Sequence, residues 1–218
     1  LKAALLTAAD AFAAGARNTI AVAVACALAG LIAGCITITG LASTLINVIV
    51  LASGDMLIIG LILTMFCCII LGMGVPTTAN YCIMAATCAP ILIQLGVPLV
   101  SAHFFVFYFG ILADITPPVA LAAYAGSAIA KSKPMKTAVN ATRLGISAYI
   151  VPYIFAFFPA LIMQVPVEAP FVVINVVFAL CGLFAIAAGI QGYLFGKINP
   201  ILRIVAVGAG LCIMIPMA

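Results

Sequence analysis

The sequence has few charges and no tryptophan. Of its 218 residues only 6% are charged, and four are acidic. A soluble domain carries roughly 25% charged residues, so a water-exposed globular surface is excluded for most of this chain. Hydrophobic residues make up 68% of it, in continuous runs that reach the ~20 residues of a spanning helix. Because these runs do not alternate as barrel strands do, they predict an all-α polytopic membrane protein.

Signatures of enzymes and metal sites are also missing from the sequence. It contains no Walker A motif, no HExxH, no GxSxG and no paired carboxylates, so ATP hydrolysis and common hydrolytic chemistries are not predicted. The eight cysteines show no CxxC spacing and all lie in apolar segments. They are expected to be small packing residues. We therefore predict no enzymatic activity, no cofactor and no resident metal.

The first 54 residues are predicted to form three helices. Residues 1–17 are amphipathic and indicate a helix lying along the membrane interface. Residues 18–38 are apolar and predict a scaffold span, whereas residues 41–51 are too short to cross and predict an arm helix. Asp55 follows and is expected to cap the next helix. Because residue 1 is Leu, we expect an internal piece of a longer chain.

Residues 55–131 consist of two long apolar blocks, each interrupted by residues that break a helix. The block 55–95 is interrupted at "GMGVPTTAN", which predicts either a re-entrant hairpin or a short pair of spans, since each half has only ~18 residues. The block 98–131 is interrupted at "ADITPP", which predicts a discontinuous helix. Prolines and glycines mark such boundaries.

The last part of the chain is predicted to return to ordinary membrane spans. Residues 132–165 comprise a basic loop, "KSKPMKTAVNATR" with its first lysine at position 131, and a span over 144–165. Residues 166–218 hold two further spans, 170–196 and 200–217. The stripe "GLFAIAAG" within them indicates close helix packing.

The distribution of basic residues predicts the orientation. If residues 18–38 cross once, 55–95 return to their own side and 98–131 cross once, all eight basic residues share one face. Asp55 and Glu168 fall on the other. The positive-inside rule makes the basic face, including loop 131–143, cytoplasmic. We therefore expect a multi-pass membrane protein.

The two interruptions share one design. Pro76 is predicted to open a helix with Thr77, Thr78 and Asn80 in its first turn, and Thr116 to cap a helix that begins with Pro117 and Pro118. Broken backbone in lipid is tolerated where it lines a cavity or is buried in protein. Paired breaks can offer carbonyls to a cation and N–H groups to a carboxylate, as in secondary transporters. A plain proline kink is the alternative for each break.

Asp114 is the one acid deep within an apolar run. An ionisable residue at membrane depth is a functional candidate. It could coordinate a cation, carry a proton, or only cap backbone amides of the turn from Thr116 to Pro118. The residue types do not decide between sodium and proton coupling.

Three stretches closely resemble the large membrane subunit of tripartite ATP-independent periplasmic (TRAP) transporters. They are "GMGVPTTANYCIMAATCAPIL", "GVPLVSAHFFVFYFGILADITPPVALAAYAGSAIAKS" and "RLGISAYIVPYIFAFFPALI". The resemblance is to the fused permease that partners TAXI-type binding proteins. It is strong over residues ~70–165 and extends in pattern to residues 1–69, with residues 166–218 similar to the extra C-terminal helices of the fused form.

This resemblance implies an elevator-type transporter with two inverted repeats, of which the chain would hold the second. A periplasmic binding protein would deliver an organic acid, and a sodium or proton gradient would drive its uptake across a bacterial or archaeal plasma membrane. The first repeat and the small-subunit helices would belong to the same longer chain. By the resemblance, the cation-binding residues are Gly72, Gly74, Val75, Gly110, Asp114 and Thr116. The substrate-side residues are Thr77, Thr78, Asn80 and Pro117.

Two other functions remain open from the sequence. One is a carboxylate/cation symporter of similar architecture that needs no binding protein. The other is a membrane scaffold subunit that transports nothing, for which substitution of Asp114 or Thr116 would change stability and leave uptake unaltered.

Overall fold

The structure, a computed structural model, describes residues 2–54, 56–162, 169–194 and 196–214. Within this part of the chain the regular elements are all helices, and the one β-type pairing is an isolated bridge between Tyr193 and Lys197, which confirms the all-α fold class. The α-helices are α1 (Lys2–Ile38), α2 (Leu41–Ser53), α3 (Leu57–Gly72), α4 (Thr77–Thr87), α5 (Ala89–Gln94), α6 (Leu99–Leu112), α7 (Leu121–Ile129), α8 (Pro134–Leu144), α9 (Ile146–Phe157), α10 (Ala169–Gln191) and α11 (Pro200–Ile213). Two 3-10 turns cover Ala113–Ile115 and Pro159–Ile162.

The first helix is continuous where two helices were predicted. α1 runs for 37 residues and has no break between residues 1–17 and 18–38. The helix continues through this region because its many alanines favour helix strongly. Thr19 is accommodated within the helix, where its hydroxyl donates to the Ala16 carbonyl at 2.8 Å. Gly40, at φ 70°, ends this helical stretch and leads into α2, which matches the predicted arm helix 41–51. The predicted cap Asp55 lies outside the described residues.

Most of the apolar helices are too short to cross a bilayer alone. α3 has 16 residues, about 24 Å of helix, against a hydrocarbon core of about 30 Å. Within the described ranges, one helix, Pro170–Gln191, is by itself long and apolar enough to span. The segments Cys26–Ile36 and Leu41–Ser53, bent by 69°, would make a second span if taken together.

The predicted spans 144–165 and 200–217 are therefore shorter than expected. Their described helices are α9, of 12 residues, and α11, of 14. The apolar runs that hydropathy detects continue past the ends of these helices, because a helix ends where its backbone turns even if the next residues are apolar. Residues 163–168 and 215–218 lie outside the described part of the chain.

The predicted basic loop is a helix. α8 begins at Pro134, a residue that suits the first helical position because its missing N–H would have no partner there. Most of its side chains are exposed. Arg143, near its end, donates to the carbonyl of Ile190 at 3.0 Å. The basic residues of this segment are therefore not all free in solvent, as a loop would have left them.

A core around α6 holds the hairpin α3–α5 together. Phe105 and Phe109 on α6 are fully buried and their ring centroids lie 4.8 Å apart. Met84 of α4, Leu61 of α3 and Leu92 of α5 are fully buried in the same cluster. Membrane helices associate through van der Waals packing of this kind and not through transfer of side chains out of water. This cluster fixes α6 against the hairpin and so positions the two chain breaks.

Helices α10 and α11 pack with their backbones in close contact. A Cβ atom added at Gly182 would lie 2.7 Å from the Gly210 carbonyl oxygen, and one added at Gly210 would lie 2.7 Å from the Gly182 oxygen. Small residues permit this approach between membrane helices. The predicted packing role of "GLFAIAAG" is confirmed.

Large apolar side chains cover much of the described surface, including Phe12 at 81% exposure and Ile129 at 86%. Surfaces of this kind face lipid or a protein partner. Four cysteines share this exposure, namely Cys35, Cys82, Cys181 and Cys212. The prediction that the cysteines are buried packing residues is therefore wrong for these four, although Cys68 and Cys88 are buried.

Candidate functional site

The first break is the tip of the helical hairpin. α3 ends at Gly72 and α4 begins at Thr77. Gly74 between them has φ +77°, a left-handed conformation that glycine adopts without steric cost. Pro76 is extended and precedes the helix, so it sets the start of α4 one residue later than predicted.

The second break follows α6. The 3-10 turn Ala113–Ile115 continues α6 before the backbone extends at Thr116, and α7 begins at Leu121. The prediction that Thr116 caps a helix starting at Pro117 and Pro118 is therefore wrong. The Thr116 hydroxyl donates backwards to the Leu112 carbonyl at 2.5 Å. Ala120 has φ 32°, outside the right-handed helical region, so a regular helix begins only after it.

Tyr149 of α9 completes the contacts of Thr116. Its hydroxyl lies 2.5 Å from Thr116 Oγ1. Since the Thr116 proton points to Leu112, Tyr149 is the donor in this pair. The hydroxyl of Thr142 on α8 donates to the carbonyl of Ile115 at 2.9 Å. The break is thus held from one side by α8 and α9.

The two breaks meet across a pocket of about 310 Å³. The hairpin contributes Gly74, Val75, Pro76 and Thr77, the end of α6 contributes Asp114, and α7 contributes Leu121 and Ala122. Thr77 and Leu121 are the first residues of their helices. The N–H groups of a first helical turn have no partner within the helix. The pocket therefore brings one carboxylate together with two positive helix ends.

Asp114 does not cap the turn that follows it. The Thr116 N–H bonds to the Ala113 carbonyl at 3.3 Å, and prolines 117 and 118 have no N–H to offer. Within the described residues the Asp114 side chain makes no hydrogen bond or ion pair, and it is half-buried at the pocket. The carboxylate is therefore free to meet a cation or a proton there.

Beside this pocket, Asn80 joins the hairpin to α6. Its side chain is 1% exposed, and Nδ2 donates to the Gly110 carbonyl at 3.0 Å. A Cβ added at Gly72 would lie 2.6 Å from Asn80 Nδ2. Glycine at both positions lets α3 and α6 approach the amide. Its other atom, Oδ1, is buried without a hydrogen-bond partner in the described part of the structure, which is unusual for a buried oxygen.

The predicted site residues therefore fall into four groups. Gly72, Asn80 and Gly110 are buried together in the interior, whereas Gly74, Val75, Thr77 and Asp114 line the pocket. Thr116 turns to α9 instead. The remaining two, Thr78 and Pro117, are exposed and half-buried respectively and are not among the pocket residues.

Sequence reasoning missed Tyr149, Leu121 and Ala122. Tyr149 lies 33 positions from the threonine that it contacts, and no local spacing signals such a pair. Leu121 and Ala122 enter the pocket because α7 starts later than predicted. Because a helix start at Pro117 was expected, Leu121 and Ala122 were not predicted to line the site.

The atoms near the breaks that could coordinate a cation are oxygens. They comprise the Asp114 carboxylate, Asn80 Oδ1, the Thr77 hydroxyl and backbone carbonyls. Among the described residues no group of three or more His, Cys, Asp or Glu side chains could hold a metal ion. A set of oxygens with a single carboxylate suits a hard cation better than a transition metal.

Comparison with known proteins adds one match. A family model described as "Tripartite ATP-independent periplasmic transporter, DctM component" matches residues 2–169. No curated protein and no solved structure matches the chain. The family match covers both breaks and ends at the first residue of α10.

Proposed function

Because the chain belongs to the DctM component family of tripartite ATP-independent periplasmic transporters, we propose that it imports organic acids as the membrane subunit of a secondary active transporter. The family consists of integral inner-membrane transport components and not of enzymes. Beyond family membership, we propose a substrate class, a driving ion and a mechanism for this chain. Import is driven by a sodium or proton gradient, and the hairpin and broken helix move as part of an elevator.

The observation that carries this proposal is the pocket between the two breaks. It joins a free carboxylate, Asp114, to the starts of α4 and α7. In secondary transporters, helix starts of this kind hold anionic substrate groups while helix ends and carbonyls hold the coupling ion. A pocket that offers both kinds of partner is suited to moving a carboxylate together with a cation.

The cation side of the pocket is assigned to the end of α6. Asp114 supplies negative charge, and the carbonyls at the end of α6 carry the negative end of its helix dipole. The unpartnered Oδ1 of Asn80 is a further oxygen near Gly110. The substrate side is assigned to Thr77 and the first turns of α4 and α7, whose N–H groups suit a carboxylate.

The partners follow from the same family. Its members normally work with a periplasmic binding protein and a small membrane subunit. We assign the binding protein to the TAXI type, and the small-subunit helices and first repeat to a longer form of this chain. The basic residues of α8, Lys136 and Arg143, are placed on the cytoplasmic side by the positive-inside rule.

Uptake by proteoliposomes tests the proposal. The full-length protein and its binding protein are reconstituted, and a radiolabelled organic acid is offered with a sodium gradient or a proton gradient imposed separately. We expect accumulation with one gradient and loss of that dependence in Asp114→Asn. Asp10→Asn, which removes an exposed acid from α1, is the matched control. Uptake that needs neither gradient contradicts the proposal.

A further inference from the structure

Two arginines converge on the end of α10. Arg203 of α11 donates from Nε to the Gly189 carbonyl at 2.8 Å and from Nη2 to the Ile190 carbonyl at 2.8 Å. Arg143 of α8 donates to the same Ile190 carbonyl at 3.0 Å. These bonds complement the negative end of the α10 dipole, and they hold two guanidinium groups on one backbone oxygen.

Within the described residues, these bonds leave most of the arginine donors without a partner. One N–H of Arg143 and two of Arg203 are engaged with carbonyls, and a guanidinium has several more. Both side chains line a pocket of about 730 Å³. The acids of the described part, Asp10 and Asp114, do not line it. Two positive charges therefore share one pocket without a carboxylate from those residues.

The rest of the pocket is apolar and follows one face of α11. Ile204, Val207, Gly208 and Leu211 line it, at the spacing that places residues on one side of a helix. Ile204 is 76% exposed and Leu211 is 48% exposed. This face extends about 10 Å along the helix from the arginines. An occupant that fits both parts has an anionic head and an apolar tail.

The position of the pocket in the fold agrees with such an occupant. α10 contains the one described helix segment that is by itself long and apolar enough to cross a membrane. Its end at Gln191 therefore lies where the hydrocarbon core gives way to the polar headgroups. From that level α11 turns back along α10, as the contacts of Gly182 with Gly210 show, and its apolar face runs into the hydrocarbon.

We propose that this pocket binds an anionic phospholipid, with Arg143 and Arg203 on the phosphate and the face of α11 along an acyl chain. Guanidinium groups bind phosphate through charge-assisted and often bidentate hydrogen bonds, and basic pockets between membrane helices bind lipid headgroups. The bound lipid would hold α8 against the α10–α11 pair, since the two arginines come from different parts of the chain.

Native mass spectrometry and thermal unfolding of the full-length protein in detergent test this site. The probes are phosphatidylglycerol, phosphatidylcholine and inorganic phosphate at matched concentrations. We expect phosphatidylglycerol to remain bound and to raise the unfolding temperature, while the other two do neither. The double variant Arg143→Gln/Arg203→Gln should weaken phosphatidylglycerol binding about tenfold or more. The control Arg17→Gln/Lys133→Gln removes two basic residues elsewhere and should retain the binding.

A second variant tests the apolar part without altering either arginine. A Cβ at Gly208 meets nothing within 4 Å, so Gly208→Leu can fill the pocket from the helix side. It should reduce phosphatidylglycerol binding, whereas Gly34→Leu, at a glycine of α1 with equal space, should not.

Three results would overturn the proposal. They are equal binding of phosphatidylcholine, an unfolding temperature raised as much by inorganic phosphate as by the lipid, and unchanged lipid binding in both the arginine and the Gly208 variants. The second of these would make the pocket a site for free anions. None depends on transport activity.

Discussion

The side-chain amide of Asn80 donates a hydrogen bond of 3.0 Å to the backbone carbonyl of Gly110. Asn80 lies in the first turns of α4 and Gly110 near the end of α6, so this bond joins the helices on either side of the pocket. Both residues are buried. When the donor of such a buried bond is removed, the acceptor is left without a partner, and its full desolvation penalty lowers the stability of the fold.

Replacing Asn80 by alanine should lower the free energy of unfolding by about 1–3 kcal/mol, because the Gly110 carbonyl loses its side-chain donor. The measurement is denaturant titration in mixed micelles, followed by circular dichroism. Thr78→Ala, two residues earlier and exposed, is the control and should change stability by less than about 0.5 kcal/mol. Equal effects in the two variants would show that the Asn80 bond contributes nothing.

Gly72→Ala should destabilise the protein. Its Cβ would lie 2.6 Å from Asn80 Nδ2 and 2.9 Å from Ala113 Cβ, so buried neighbours must move, at a cost of about 1–3 kcal/mol. Gly126→Ala in α7 is the matched control, since nothing lies within 4 Å of its Cβ. It should stabilise by up to about 1 kcal/mol. Opposite signs in thermal unfolding are the expected outcome.

Thr116 and Tyr149 should be coupled in a double-mutant cycle. Thr116→Val and Tyr149→Phe each remove one hydroxyl of a pair whose oxygens lie 2.5 Å apart, and each should cost about 1 kcal/mol. Because they remove the same bond, the double variant should fall short of the sum by about 0.5 kcal/mol or more. Strict additivity would mean that α9 does not hold the break through this contact.

Asp114→Asn should leave stability nearly unchanged while removing the ion dependence of uptake. Its carboxylate makes no hydrogen bond with the described residues and is half-buried, so the change in unfolding free energy should stay within about 0.5 kcal/mol. A scaffold subunit would show the reverse. Circular dichroism and uptake measured on the same preparation separate the two outcomes.

Gly210→Ala should loosen the α10–α11 pair. The new Cβ would lie 2.7 Å from both the Gly182 oxygen and Ile186 Cγ1, and the backbone cannot yield as a side chain would. Gly208→Ala, two residues away on the same helix, has no neighbour within 4 Å. Hydrogen exchange of α10 amides should rise in the first variant and stay unchanged in the second.

The fold class and the positions of the two breaks could be predicted from the sequence because both depend on local composition. Apolar runs indicate membrane helices, and Gly, Thr and Pro at "GMGVPTTAN" and "ADITPP" interrupt them. The structure places Gly74 and Asp114 on one pocket, as expected if the breaks face each other. The assignment of cation and substrate roles to these residues remains a prediction.

The start of α7 could not be predicted, because it depends on the tertiary contacts of Thr116 and on the left-handed backbone of Ala120, at φ 32°. A threonine before two prolines has the pattern of a helix cap, yet Thr116 bonds back to Leu112 and across to Tyr149. The length of α1 was missed for a different reason. The change from an amphipathic segment, residues 1–17, to an apolar one, residues 18–38, indicated two helices, but such a change affects where a helix lies and not whether it continues.

The contacts of Gly72 also restrict how the protein can move. With a virtual Cβ only 2.6 Å from Asn80 and 2.9 Å from Ala113, α3, α4 and the end of α6 leave no free volume at their junction. Interiors this dense transmit displacement instead of absorbing it. In the elevator that we propose, the hairpin and the broken helix would therefore travel together. The sliding surface would lie along other faces, such as the one where Ile62, Phe66 and Ile70 of α3 are exposed.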